Sequence, residues 1–278
     1  MALAIDGLGE HLPGQHLPGE ALDSARMPGH WLLARMGKKV LRPGGVELTH
    51  KMLASLDITS SDDVVELAPG LGATTRLVLD KNPASYRGVD RDPVAAERVA
   101  DLISGPNRSV SAGSAADTGL DDASADVAFG EAYLTMQPAS QKARIVAELH
   151  RVIRPGGRIG VHEVSFKPTV SGPDRERIVE ELRTSIKVHV SPLSDEEWRD
   201  LLESAGFRVV NSAFTPLHLL EPRRLISDEG LFGALRFIAR VLGNRESRSR
   251  VLAMRRAMSG NDEFLQAIMI TAVRPIDS

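Results

Sequence analysis

An α/β fold, a mostly parallel seven-stranded sheet with helices on both faces, is predicted by three observations. Short apolar strands alternate with helices of roughly ten to fifteen residues from about residue 62 to 166. A glycine-rich turn leads directly from the first of these strands into a helix. Two further apolar strands close the chain, separated by a helical insertion. Such alternation implies right-handed strand–helix–strand crossovers.

The elements follow in order. Residues 1–22, with HLPG at 11–14 and again at 16–19, read as a loosely ordered lead-in. Helices are expected from Asp23 to Lys39, closed by Arg42-Pro43-Gly44-Gly45, and from Glu47 to Leu56. Together residues 1–58 form a helical extension ahead of a main domain, 59–278. Val64, Val65 and Leu67 make the first strand, and ATTRLVLD after the glycines the next helix. Tyr86–Val89 is the second strand, ending at Asp90, with Asp92 as N-cap and Pro93 at the first helical position. Strands follow at Ser109–Ala112, Ala125–Glu131 and Arg158–Phe166. Before the last of these, a helix from Ala139 to Ile153 stops at Arg154-Pro155-Gly156-Gly157. Asp174–Lys187 is helical, and Ser194 with Glu197 forms a capping box for a helix that Gly206 ends. Phe207–Leu220 and Phe264–Val273 are the closing strands, with a helical lid between them at about 222–262.

Composition narrows the function. The chain has no cysteine, which removes disulfides, thiolate zinc sites, iron–sulfur clusters and cysteine nucleophiles, and fits the cytoplasm. A net charge of −3 gives no general attraction to nucleic acid. No secretory signal and no run long enough to span a bilayer is expected, and no ligand cluster suggests a metal.

The most informative segment is Glu66-Leu67-Ala68-Pro69-Gly70-Leu71-Gly72. A strand opening into such a turn lets a ligand approach the backbone at the carboxyl edge of a sheet. Taken alone, it suits a nicotinamide dinucleotide too, since Asp90 lies twenty residues beyond Gly70. The third glycine of that fingerprint falls on Thr75, however, and no Tyr-x-x-x-Lys pair exists: Tyr86 and Tyr133 meet Asp90 and Gln137 at that offset. A carboxylate at Glu66 also suits a cofactor carrying an ammonium group.

On these residues the chain resembles the class I S-adenosylmethionine-dependent methyltransferases, in the small-molecule, type 11-like branch. The resemblance runs from Asp62 to Phe166 and more loosely to Arg274. It implies a Rossmann-like sheet whose last strand is antiparallel, with S-adenosyl-L-methionine as cofactor. Glu66–Gly72 looks like the family's first motif, with Ala68 replacing its first glycine. Gly88-Val89-Asp90 is similar to the second, whose acid holds the ribose hydroxyls. Gly113-Ser114-Ala115 stands where the family has Gly-Asp-Ala, so Ser114 offers the adenine a weaker acceptor than a carboxylate. Asp126–Glu131 and Glu148–Gly157 match the fourth-strand motif and the run before strand five. The expected cofactor residues are thus Glu66, Ala68, Gly70, Gly72, Asp90, Arg91, Ser114 and Ala115. Arg91 either lies along the adenine ring or is a solvated surface arginine.

Catalysis is expected at the ends of strands four and five. Glu131 is a candidate general base or a ligand for the cofactor's amino group. His162 is a candidate base or a hydrogen-bonded strand histidine, and Glu163 points to the opposite face by alternation. His150 reads as structural, and His189 lies in a linker. The methyl acceptor is expected to be an oxygen or nitrogen of a small, partly apolar molecule. Nucleic-acid bases are disfavoured, because Gly130-Glu131-Ala132-Tyr133 replaces the Asn/Asp-Pro-Pro-aromatic signature. Arsenic methylation depends on cysteines. A nicotinamide-dependent oxidoreductase and a non-catalytic cofactor-binding protein remain the alternatives. Residues 222–256 hold nine arginines against three acids, a net of +6 in a chain of −3. That stretch is read as a lid with solvated arginines, with contact to an anionic acceptor or an anionic membrane surface left open. Oligomeric state is not legible.

Overall fold

A computed structural model describes residues 17–276 apart from 20, 21, 25, 40, 41, 218 and 219. Most of the HLPG lead-in lies outside the described residues. The elements run α1 (Gly29–Arg35), α2 (Gly45–Leu56), β1 (Asp63–Leu67), α3 (Ala73–Leu79), β2 (Ser85–Asp90), α4 (Pro93–Ala100), β3 (Arg108–Ala112), β4 (Ala125–Glu131), α5 (Ala139–Val152) and β5 (Ile153–Phe166). Then come α6 (Gly172–Ile186), β6 (Leu193–Ser194), α7 (Asp195–Ser204), β7 (Arg208–Thr215), α8 (Pro222–Gly243), α9 (Arg245–Ser259) and β8 (Leu265–Val273).

Seven strands form one sheet in the order β3-β2-β1-β4-β5-β8-β7, and the two-residue β6 adds a short pairing to β5. All pairings are parallel except those of β8, which runs antiparallel to β5 and β7. The expected architecture is the observed one. One face of the sheet packs on α5 and α7 through Ile145, Leu149, Trp198 and Leu202. The other packs on α2 and α3 through Leu48, Met52, Leu56 and Val78. Strand order reverses between β1 and β4, which opens a crevice at their carboxyl ends.

Local chemistry sets the helix ends. The Asp92 carboxylate accepts from the Val94 and Ala95 N–H groups at 2.9 and 3.4 Å, with Pro93 opening α4. Both halves of the Ser194–Glu197 capping box form, at 3.2 and 2.6 Å. Two expectations need correction. The first helix is only seven residues, because Pro28 is its N-cap and the chain turns at Gly37 with φ +100°. The Arg154–Gly157 turn is taken into β5, where the register slips between Ala125 and Val127. Arg154 bridges Asp126 and Asp63 there, at 2.7 and 2.9 Å.

The insertion is helical, with a break at Gly230 (φ +72°, ψ 167°) inside α8. Leu32, Leu33 and Met36 of α1 join Ala234, Phe237 and Val241 of α8 and Val251 and Met254 of α9 in one cluster. Asp228 and Glu229 grip the segment after α1: Lys38 Nζ lies 3.3 and 3.6 Å from them, and the Lys39 N–H donates to Glu229 at 2.8 Å. The N-terminal segment and the insertion therefore pack as a unit.

Candidate functional site

The glycine loop leaves β1 at Leu67. Ala68 has φ +54°, a left-handed conformation costly for a residue with a Cβ, and its N–H donates to the Val89 carbonyl at 2.8 Å. Gly70 and Gly72 also have positive φ, +58° and +74°. A Cβ on Gly72 would stand 2.7 Å from Leu102 Cδ1, just past α4, and 3.5 Å from Val99 Cγ2 within it, so that side of the loop is closely packed.

Asp90 ends β2 and fastens this loop. One carboxylate oxygen accepts the Gly70 N–H at 2.9 Å and the other the Asp92 N–H at 2.9 Å. Burial pushes its pKa up, outweighing the backbone donors that pull it down. Each oxygen keeps a lone pair for hydroxyls of a ligand. Arg91 next to it is exposed. Ser114 lies beyond the end of β3, exposed, its hydroxyl accepting the Ala116 N–H at 3.2 Å, while Ala115 is half-buried.

Glu66 is buried under the loop. The Tyr86 hydroxyl donates to its Oε2 at 2.6 Å and the Thr75 hydroxyl at 2.8 Å. Both converge on that one oxygen, leaving Oε1 for a ligand. Burial raises the carboxyl to about 7 despite the two hydroxyls.

A second cluster stands at the carboxyl ends of β4 and β5, where Glu131 and His162 are register partners. Glu131 Oε2 accepts from Arg42 Nη1 at 2.6 Å and from the Thr74 hydroxyl. Its Oε1 accepts from the Thr49 hydroxyl at 2.5 Å and faces His162 Nδ1 at 2.7 Å. Burial alone would raise this carboxyl, but the Arg42 guanidinium and His162 hold it well below the usual carboxylate range. The far ring nitrogen, His162 Nε2, faces the Pro43 carbonyl at 2.5 Å. Both ring nitrogens thus face oxygen atoms, Nδ1 that of Glu131 and Nε2 that of Pro43.

Glu163 points the other way. Its carboxylate accepts the N–H groups of Tyr133, Leu134 and Thr135 at 2.8–3.0 Å and the Thr135 hydroxyl at 2.6 Å, and so shapes the loop after β4. His150 sits on α5, edge-on to Phe207. His189 is exposed in the linker after α6.

The structure thus gathers Glu66, Ala68, Gly70, Gly72 and Asp90 around one loop and Glu131 with His162 beside it. It also adds residues that sequence reasoning missed. Thr74 and Thr75 were within reach, as hydroxyls in the first turn after Gly72. Arg42, Pro43, Thr49 and Tyr86 carried no local signal, because their partners lie 20 to 119 residues away.

Residues 64–157 match a family described as a methyltransferase domain. A relative from Haemophilus influenzae, an uncharacterized protein, is 33% identical over 229 residues, covering 80% of this chain and 90% of its own. Solved structures share the fold at low identity. Phosphoethanolamine N-methyltransferase 2 of Haemonchus contortus, in complex with S-adenosyl-L-methionine, aligns at TM-score 0.64 and 12% identity over 89% of this chain and 57% of its own. Geranyl diphosphate methyltransferase, in complex with GPP and sinefungin, gives 0.61 and 14% over 82% and 78%. The [4+2]-cyclase SpnF gives 0.61 and 18% over 83% and 81%. A fold shared by transferases and a cyclase does not by itself decide the reaction. The matched segment decides it, since it runs from β1 into β5 and holds the glycine loop and the acids that end β1, β2 and β4: the chain belongs to the class I S-adenosylmethionine-dependent methyltransferases.

Proposed function

We propose that this methyltransferase modifies an oxygen or nitrogen of a small, partly apolar acceptor in the cytoplasm, with His162 as the base and Glu131 as the residue that orients it. The observation that carries this reading is the 2.7 Å pairing of His162 Nδ1 with Glu131 at the ends of β4 and β5. The absence of cysteine supports the compartment.

The residues present fit the cofactor. Glu66 Oε1, with no hydrogen-bond donor on it among the described residues, suits an ammonium group, and the remaining lone pairs of Asp90 suit ribose hydroxyls. Ser114 and Ala115 would hold the adenine, with Arg91 beside it, and the backbone of Ala68, Gly70 and Gly72 would meet the ligand. When bound, the cofactor supplies an electrophilic methyl group on a sulfonium with a good leaving group. The protein's task is alignment and, for a hydroxyl or ammonium acceptor, removal of a proton.

A carboxylate with four donors on it is a poor base, and Glu131 is already occupied by Arg42, Thr49, Thr74 and His162. It is well suited to fixing the imidazole by Nδ1–H, which leaves Nε2 for the acceptor. In this structure Nε2 is capped by the Pro43 carbonyl. An acceptor O–H or N–H would displace that carbonyl and pass its proton to Nε2 of the neutral ring as the acceptor atom bonds to the methyl group, with Nδ1–H held by Glu131 throughout.

The test is transfer of labelled methyl to a metabolite extract, with cofactor affinity measured in parallel. His162→Asn should cut turnover about 100-fold, leaving the cofactor dissociation constant within about twofold. Glu131→Gln should lower turnover while leaving the cofactor dissociation constant unchanged. Loss of cofactor affinity with the rate per bound complex unchanged would instead make the pair a cofactor clamp.

A further inference from the structure

The insertion is apolar on two sides. Ala234, Phe237 and Val241 of α8 are buried against α1 and α9, whereas Leu231, Leu235, Ile238 and Leu242 are 57, 54, 40 and 60% exposed. These four recur at i, i+4, i+7 and i+11, one continuous helical stripe, and Phe232 beside it is 80% exposed. Contiguous apolar surface on this scale marks a contact site.

The neighbouring helix supplies charge. On α9, Ser247, Val251 and Met254 are buried, and Arg245, Arg248, Arg255 and Arg256 are exposed. Among the described residues these four arginines make no ion pair. Buried residues of both helices enter the same cluster, so both outward faces look away from the core.

We propose that this face of α8 and α9 seats the enzyme on an anionic lipid bilayer, with the leucine–phenylalanine stripe entering the interface and the α9 arginines meeting lipid phosphates. An apolar stripe flanked by cationic residues is the composition of an interfacial helix. No helix among the described residues is long and apolar enough to cross a membrane, so the contact is peripheral. The arginines argue against a second copy of the chain as the occupant, since a two-fold contact would set like charges against each other. Against a nucleic acid, the stripe would remain in water. The proposal is independent of the role assigned to His162.

The test is co-sedimentation of the full chain with vesicles of phosphatidylcholine alone and of phosphatidylcholine with about 30% phosphatidylglycerol. Binding should be at least about tenfold tighter to the anionic vesicles and should weaken as salt is raised. Leu235→Ser with Ile238→Ser should cut that binding at least about tenfold, with cofactor affinity unchanged as the check on folding. Arg248→Glu with Arg255→Glu should erase the preference for anionic lipid. Equal binding to both vesicles, no binding, or variants that bind like the parent would overturn the proposal. So would a dimer in light scattering that the serine variant dissolves.

Discussion

Glu66→Gln separates the cost of a buried acid from its use. In the folded chain the Glu66 carboxyl titrates at about 7, against an ordinary 4.5, chiefly because burial disfavours its charge. The folded state therefore binds a proton between those two values that the unfolded state has released. Stability falls across that window: the contribution is fully present below the ordinary value and lost as pH rises through the folded one. The gap corresponds to about 3 kcal/mol. Denaturant unfolding without cofactor, at about pH 5 and about pH 8, should show the parent losing roughly that much more than the variant. Cofactor affinity should move oppositely, with the variant weaker at the higher pH because a neutral amide replaces the partner of an ammonium. Parallel pH profiles for the two proteins would refute the reasoning, since they would place the ionisation of Glu66 outside the window.

Two further perturbations probe the loop and its cover. Ala68→Gly should leave thermal stability level or raise it by up to about 1 kcal/mol, because it relieves a positive φ while freeing the unfolded chain; a clear loss would mean the Cβ is needed for packing. Arg42→Ala should destabilise by about 3 kcal/mol in denaturant unfolding, because it leaves the buried Glu131 carboxylate short of its charged partner. An effect below about 1 kcal/mol would show that Thr49, Thr74 and His162 suffice.

What was legible in the sequence was local. The glycine loop, the Asp92–Pro93 start of α4 and the Ser194–Glu197 box each depend on groups within a few residues, so spacing reports them. The mostly parallel sheet was legible through the alternation of strands and helices, which restricts the crossovers, but its strand order was not. The roles of Glu131 and His162 were not. Their neighbours arrive from the N-terminal segment, 89 residues away for Arg42 and 119 for Pro43, and no periodicity encodes a contact at that distance. The choice for Glu131 between general base and ligand of the cofactor's amino group had to be made without those donors in view. The grip of Asp228 and Glu229 on Lys38 and Lys39, across 190 residues, was hidden for the same reason, although the basic excess of the insertion was countable.

Calorimetric titration of the parent and of Asp90→Ala with S-adenosylmethionine, and separately with NADH, tests the central claim most directly. The parent should bind S-adenosylmethionine and not NADH. Removing Asp90, which fastens Gly70 and is proposed to hold the ribose hydroxyls, should weaken binding by at least about 1.5 kcal/mol. Tight NADH binding without S-adenosylmethionine binding, or an unchanged dissociation constant in the variant, would contradict the claim.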